Sequence, residues 1–326
     1  MGPRILVTGI ASAAGRTVAA QLEARGLPYL GSDARADTRA DTRADTRQAE
    51  AAPSVAAVKL LPATDPDMIL DLRRLVDREA INVIIPTLTV ELPVLAAARS
   101  GFAQDVRIIV GDPAAVALAN DHLFTTWALK AAGIPVPRFG VPGDLAAAPA
   151  SLADLSGPVV VKPRVFEGSR GVHVLAGTAS VSWKNMPTGQ LVQEFIPGAD
   201  YVCLVFGTPA RNAMAPVAVV LEKTRTPYGR AGSDEVSRRV PTREAGDVRR
   251  LGLAAVRALG LTGPVQVQIR RRADGTPVVL GVCATLGENS TWAPELLDAV
   301  LATFMLPAFN PASFRRCPAI PADALG

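Results

Sequence analysis

The sequence predicts an α/β N-terminal region built on a parallel sheet, followed by an α+β region rich in antiparallel strands. Short apolar runs alternate with helix-period stretches up to about residue 112. Beyond residue 150, apolar strands follow one another across glycine- or proline-containing turns. At 326 residues the chain exceeds the usual size of one domain, so we expect at least two compact units.

The composition narrows the function classes. With 49% hydrophobic and 20% charged residues, the chain is typical of a globular protein. The net charge of +4 comes from basic residues scattered among acidic ones, which argues against nucleic acid as a partner. Three cysteines without CxxC spacing indicate neither a disulfide framework nor a zinc site, so we expect a cytoplasmic protein. No apolar run approaches the roughly 18 residues of a membrane span, and a homodimer is one alternative for the assembly.

The N-terminal region begins with a strand, turn, helix and strand. Ile5 to Gly9 form the first strand, and Asp33 ends the second, where dinucleotide-binding folds place a ribose-binding carboxylate. Alanine replaces two of the three fingerprint glycines after the first strand, so we interpret the region as a Rossmann-like scaffold, with an NAD site as the alternative. Residues 36–47 repeat Ala-Asp-Thr-Arg without a large apolar side chain, and we assign them no function.

Chemistry-bearing residues are concentrated in the second half of the chain. The apolar strand Val159 to Pro163 carries Lys162 near its end, and Arg164 follows it. A glycine loop comes next and contains Gly168, Ser169, Arg170 and Gly171. Backbone N–H groups of such a loop can close over phosphate oxygens while a lysine supplies a fixed charge to the same anion. The alternative is a plain β-hairpin with a snorkelling lysine.

A hinge-like segment follows the next strand. It runs Gln193, Glu194, Phe195, Ile196, Pro197 and Gly198. We expect its backbone groups to be free for a planar heterocycle, and the carboxylate of Asp200 to accept hydrogen bonds from ribose hydroxyls.

In this order and spacing, the segments resemble the ATP-grasp superfamily, in the branch related to the carbamoyl phosphate synthase large chain. The resemblance implies a Rossmann-like pre-ATP-grasp domain at residues 1–112 and a two-subdomain ATP-grasp domain at 113–326. Its lid subdomain would span about 121–195 and its larger subdomain about 196–310. Further matching segments are Ile85-Pro86-Thr87, Asp121, Gly133 to Pro137, and Gly263 to Gln268.

The resemblance also implies a function and roles for the residues. ATP would be the cofactor, and a carboxylate would be activated as an acyl phosphate and handed to an amine, in the synthesis of a small molecule or cofactor. Lys162 would bind phosphate, Gly168 to Gly171 would form the lid loop, Gln193 to Ile196 would flank adenine, and Asp200 would hold ribose. Arg164 and Arg239 are the candidate catalytic cations, because arginine forks match carboxylates and phosphates. For Arg239, a solvated loop is the alternative.

The last strand departs from the family pattern at the magnesium positions. Gly281 and Cys283 stand where the family has a glutamate and an asparagine, and Thr285 stands where it has an arginine. Only Gln268 matches the remaining metal position. Because Mg²⁺ requires hard oxygen ligands, we expect its affinity here to be low. In addition, His122 stands where a lysine usually follows the aspartate at 121.

Two questions stay open at this level. Glu288 could supply a replacement metal ligand alongside Gln268, or Glu288 and Asn289 could cap the last helix. The function is either that of an ATP-dependent carboxylate–amine ligase or that of a catalytically reduced ATP-grasp protein. The second would bind nucleotide or another ligand as a regulatory or partner subunit.

Overall fold

A computed structural model describes residues 3–34, 57–147, 157–165, 171–178, 181–208, 217–223 and 236–304. The chain forms two compact units, one from Met1–Pro113 together with Ala284–Gly326 and one from Ala114–Cys283. The described residues from Ala284 onward therefore pack with the N-terminal unit, although the sequence placed them in the ATP-grasp region. The predicted boundary between the two domains, at residues 112 and 113, stays a prediction. Residues 36–47 lie outside the described part.

The first unit is built on a parallel five-stranded sheet, as predicted. Its strands lie in the order β3-β2-β1-β4-β5, and every neighbouring pair is parallel. A 3₁₀ helix (Glu288–Trp292) and the C-terminal helix (Glu295–Phe304) belong to the same unit. The elements in chain order are β1 (Ile5–Thr8), α1 (Ala13–Glu23), β2 (Tyr29–Asp33), β3 (Ala57–Lys59), α2 (Met68–Glu79), β4 (Val83–Pro86), α3 (Leu92–Ala98) and β5 (Arg107–Ile108).

The loop between β1 and α1 shows why this end of the sequence is rich in small residues. Gly9 has a φ of 66°, and a side chain at Gly15 would overlap the carbonyl oxygen of Gly9. Ser12 caps α1 by accepting the N–H of Gly15 at 2.9 Å. The carboxylate of Asp33 accepts the N–H of Ala11 at 3.1 Å, so it ties the loop to the end of β2.

The second unit begins with helices and a small antiparallel sheet. The sheet has the order β6-β9-β7-β8, and its strands pair antiparallel throughout. One face of β7 packs into a cluster with Trp183 through Val159 and Val161, because side chains alternate along a strand. The elements are α4 (Pro113–Asn120), α5 (His122–Ala131), β6 (Phe139–Gly140), α6 (Pro142–Ala147), β7 (Val159–Pro163), β8 (His173–Leu175) and β9 (Gln190–Glu194).

A second antiparallel sheet completes this unit, in the order β12-β11-β10-β13-β14. Its central strand is buried along its whole length. Helix α7 (Gly246–Ala258) covers this strand, β10 (Asp200–Gly207). The helix can approach closely because Gly252 has no side chain at the point where the thiol of Cys203 lies. The elements are β10 (Asp200–Gly207), β11 (Ala218–Lys223), β12 (Val236–Val240), α7 (Gly246–Ala258), β13 (Gly263–Arg271) and β14 (Pro277–Cys283).

One parallel and two antiparallel sheets confirm the predicted fold class. Two of the strands, β6 and β12, were not predicted. None of the described helices combines the length and the apolar character needed to cross a membrane.

Candidate functional site

Lys162 is a buried cation that bridges the two antiparallel sheets of the second unit. It lies on β7, on the opposite face from Val161, and only 6% of its surface is exposed. Its Nζ donates a hydrogen bond of 3.0 Å to the carbonyl oxygen of Leu280 on β14. Burial lowers the pKa of Lys162 from 10.5 to about 7. This burial contradicts the alternative of a snorkelling lysine.

The acceptor of that hydrogen bond comes from a β-bulge that the sequence did not reveal. Gln268 of β13 pairs with Gly281, whereas the next residue, Ile269, pairs with Val279. Leu280 is therefore the extra residue on β14 and has no partner position in the ladder. Its carbonyl group accepts from Lys162 instead, so the bulge supplies the polar partner that a buried ammonium requires.

His122, the first residue of α5, lies directly against Gly281. A Cβ atom built on Gly281 would lie 3.1 Å from Cε1 and 3.2 Å from Nδ1 of the imidazole, and 3.6 Å from Oε1 of Gln268. Burial, followed by the nearby charge of Lys162, lowers the pKa of His122 to about 3. The imidazole is therefore neutral near pH 7.

Arg164 is held by the start of α5. Its guanidinium group donates to Asp121 in a fork, with Nη2–Oδ2 at 2.6 Å and Nε–Oδ2 at 3.1 Å. The same carboxylate caps α5 by accepting the N–H of Leu123 at 2.9 Å. The guanidinium also lies 4.8 Å from the ring centroid of Phe124. Arg164 thus fastens the end of β7 to α5, and its catalytic role stays a prediction.

The hinge residues are more constrained than the sequence indicated. The N–H groups of Glu194 and Phe195 donate to the carbonyl oxygens of Arg138 at 2.8 Å and Pro158 at 3.0 Å. The expectation that backbone groups here are free for a heterocycle is therefore wrong for these two N–H groups. The other two hinge candidates, Gln193 and Ile196, are buried, and Ile196 is only 2% exposed. Nε2 of Gln193 donates a hydrogen bond of 3.3 Å to Thr126.

Glu194 and Phe195 line an open cleft of about 370 Å³, together with Pro197, Arg272, Ala273 and Asp274. Two arginines contact the Glu194 carboxylate: Nη1 of Arg272 lies at 2.7 and 2.9 Å from its oxygens, and Nη2 of Arg138 lies at 3.1 Å. Burial raises the pKa of Glu194, but the hydrogen bonds from Arg138 and the hydrogen bond and charge of Arg272 outweigh it and hold the pKa below its usual value. Glu194 is therefore ionised at neutral pH.

Asp200 occupies the first position of β10 and is 7% exposed. Its Oδ2 accepts two hydrogen bonds from Arg270, at 2.8 Å from Nε and 2.6 Å from Nη2. The sequence contains no local signal for this pairing, because the two residues meet only through the register of β10 against β13. The role of Asp200 in holding ribose stays a prediction.

The remaining candidates are not brought together. Gly168, Ser169 and Arg170 lie outside the described residues, and Gly171 has a φ of 76°, which favours glycine. Arg239 lies exposed on β12, opposite Leu221.

Gln268 and Glu288, the two candidate metal ligands, belong to different compact units, so their pairing stays a prediction. Both side chains are exposed. The alternative that Glu288 and Asn289 cap the last helix is wrong: they begin a separate 3₁₀ helix, and the last helix starts at Glu295.

The positions that the resemblance assigns to magnesium do not fit that ion. Gly281 offers no side chain, and the His122 ring fills the space next to it. Cys283 offers a soft thiol, which leaves the amide oxygen of Gln268 as the one hard donor of the three positions. Within the described part of the chain, no group of three or more His, Cys, Asp or Glu residues could hold a metal ion.

Several known proteins are similar to this chain. A D-alanine–D-alanine ligase of Methylibium petroleiphilum is 30% identical over 193 residues, which cover 51% of this chain and 57% of that protein. The corresponding ligase of Gloeobacter violaceus is 30% identical over 202 residues, which cover 57% of this chain and 65% of that protein. The chain thus spans 57% and 65% of the length of these two relatives.

Solved structures share the fold. An L-amino acid ligase from Bacillus licheniformis superposes with a TM-score of 0.66 at 18% identity, over 90% of this chain and 69% of that one. An N5-carboxyaminoimidazole synthetase from Staphylococcus aureus, solved with ADP, gives a TM-score of 0.67 at 14% identity, over 97% of this chain and 80% of that one.

The family match covers the elements that carry the candidate site. The family described as "ATP-grasp domain" matches residues 119–285, more than half of the chain. This range includes both antiparallel sheets, Lys162 and the hinge. The chain belongs to the ATP-grasp domain family.

Proposed function

We propose that this protein is an ATP-dependent ligase that joins a carboxylate to an amine through an acyl phosphate. The observation that carries the proposal is Lys162, an ammonium group buried where the two antiparallel sheets of the second unit meet. Burying a cation is unfavourable unless an anion offsets its cost. The phosphates of a nucleotide are such an anion, and a strongly lowered lysine pKa is typical of functional sites.

The reaction follows from phosphoryl-transfer chemistry. A carboxylate oxygen of one substrate bonds to the γ-phosphorus of ATP as the bond to ADP breaks. The amine of the second substrate then attacks the carbonyl carbon, inorganic phosphate leaves, and the amine loses a proton. In this proposal Lys162 positions the phosphates, Glu194, Phe195 and Ile196 flank the adenine, and Asp200 holds the ribose.

The relatives support small substrates. The two relatives described above are named as D-alanine–D-alanine ligases, and one structural neighbour is named as an L-amino acid ligase. We therefore propose that both substrates are small molecules of amino-acid size, and that the product is a small metabolite or cofactor. The limited coverage of the relatives leaves the particular carboxylate and amine to experiment.

The test is ADP release by the purified chain across a panel of paired D- and L-amino acids and other small carboxylates and amines. We expect at least one pair to release ADP and to yield a condensed product by mass spectrometry. Lys162→Met should lower kcat/KM by about 100-fold or more, as loss of a group that stabilises developing charge typically does. Lys184→Met is the matched control, because Lys184 is exposed.

The contact of His122 with Gly281 favours a second candidate function, because the ring crowds a position where the family pattern has a metal ligand. In this alternative the protein binds nucleotide without turning it over and acts as a regulatory or partner subunit. A nucleotide that raises the melting temperature of the wild type but not of Lys162→Met, with no ADP formed from any substrate pair, would support this candidate over the ligase.

A further inference from the structure

We propose that this site takes its nucleotide in the metal-free form, because the imidazole of His122 fills the space from which β14 would otherwise ligate Mg²⁺. The inference rests on the nucleotide-binding part of the proposed function and holds for either candidate. It assigns His122 a positioning role: the residue acts by closing a metal position.

The geometry shows that the His122 ring would crowd any side chain at position 281. A Cβ atom there would already lie 3.1 to 3.2 Å from two atoms of the His122 ring, which is closer than ordinary van der Waals contact. The His122 ring would have to shift by a few tenths of an ångström to admit even that first carbon atom. Gln268, across the ladder from Gly281, places its Oε1 3.6 Å from that Cβ position.

Two hydrogen bonds hold the backbone of His122 in place, so the ring can yield only by rotating about its own side-chain bonds. Its N–H donates to the carbonyl oxygen of Arg164 at 2.8 Å, and its own carbonyl oxygen accepts from Oγ1 of Thr126 at 2.6 Å. Asp121, the preceding residue, caps α5 and holds the Arg164 fork. A new side chain at 281 would therefore force the ring to rotate or would disturb the start of α5.

The charges at positions 122 and 281 lead to the same conclusion. The family pattern has a lysine at the first position and a glutamate at the second, so this chain lacks one charge of each sign. Removing only one of two neighbouring buried charges leaves the other unpaired, which is strongly unfavourable. Losing both avoids that cost and leaves Lys162 as the buried cation beside this space. An incoming phosphate is therefore met by an ammonium and not by a metal ion.

The first test compares ATP affinity in EDTA with affinity in excess Mg²⁺, by isothermal titration calorimetry on the full chain. We expect Mg²⁺ to give no gain in affinity, and a loss if it withdraws free ATP from solution. A gain of more than about fivefold, the lower end of ordinary coupling between two ligands, would overturn the inference while leaving the nucleotide site intact. Failure to bind ATP in both conditions would instead remove the nucleotide site, and the inference with it.

The second test restores the family pair. The double variant His122→Lys/Gly281→Glu should gain about tenfold in ATP affinity on addition of Mg²⁺. Gly281→Glu alone should melt at a lower temperature than the double variant, because the ring blocks the new side chain.

The matched control is His173→Lys/Gly101→Glu, since His173 is exposed and a Cβ at Gly101 would meet nothing within 4 Å. This control should respond to Mg²⁺ as the wild type does. If the folded double variant at 122 and 281 gains no magnesium response, or if Gly281→Glu alone is as stable as the wild type, then the His122 contact does not determine the metal preference and the inference fails.

Discussion

Replacing Lys162 by methionine should stabilise the folded protein at neutral pH while it abolishes nucleotide binding. A pKa of about 7 instead of 10.5 means that burial disfavours the ammonium by about 4 to 5 kcal/mol near pH 7, at about 1.4 kcal/mol per tenfold change. Methionine removes that penalty, but it also leaves the carbonyl oxygen of Leu280 without its 3.0 Å donor, which costs about 1 to 3 kcal/mol. The net gain expected near pH 7 is about 2 kcal/mol.

The sign of this effect should reverse in alkali. Between pH 10.5 and about 7 the unfolded chain holds a proton on Lys162 that the folded chain lacks, so the wild type loses stability as the pH falls through this range. Near pH 10 the remaining penalty is about 1 kcal/mol, and the lost hydrogen bond then makes Lys162→Met equal in stability or less stable.

Thermal unfolding followed by circular dichroism at pH 7 and pH 10 would measure both values, at about 2 to 4 °C per kcal/mol for a unit of this size. Lys184→Met should change little at either pH, since Lys184 is exposed. A Lys162→Met variant that melts below the wild type at pH 7, or whose stability difference does not depend on pH, would refute the reasoning. The lysine would then not be the buried, weakly basic group described here.

Three further predictions concern the same unit. ATP affinity should be constant below about pH 7 and fall by up to tenfold per pH unit above it, because binding then requires Lys162 to take up a proton; calorimetry in buffers of different ionisation enthalpy would detect the uptake. Asp121→Ala should lower stability by about 2 kcal/mol in urea unfolding, because both the α5 cap and the partner of Arg164 are lost. Gly252→Ala should cost about 1 to 3 kcal/mol in the same assay, because its Cβ would lie 2.5 Å from Sγ of Cys203.

Local patterns in the sequence predicted the elements that carry the site. The apolar run ending in Lys162 predicted β7 with the bounds that the structure has, Val159–Pro163. Asp121 in the N-cap position of α5 follows from the same kind of local preference. These predictions succeed because strand alternation and helix capping depend on residues close together in the chain.

Contacts that depend on strand register could not be predicted from the sequence. The bulge that presents the Leu280 carbonyl to Lys162 depends on one extra residue in a pairing between distant strands. The fork from Arg270 to Asp200 likewise depends on how β10 aligns with β13. The described residues from Ala284 onward pack within the first unit through contacts between residues more than 250 positions apart, such as Gln21 and Ser290. No local preference specifies such contacts.

By the resemblance, His122 and Gly281 are two separate departures from the family pattern, but in the structure the two residues lie against each other. A larger residue at 281 would be crowded by the ring, and a charged residue at 122 would lack the counter-charge of a glutamate at 281. The bulge next to Gly281 gives Lys162 a neutral acceptor, the carbonyl oxygen of Leu280. A site damaged by random change would leave unpaired buried charges, whereas this one has a neutral ring, an amide and a single hydrogen-bonded ammonium. Such mutual compatibility is what the proposed metal-free nucleotide site predicts.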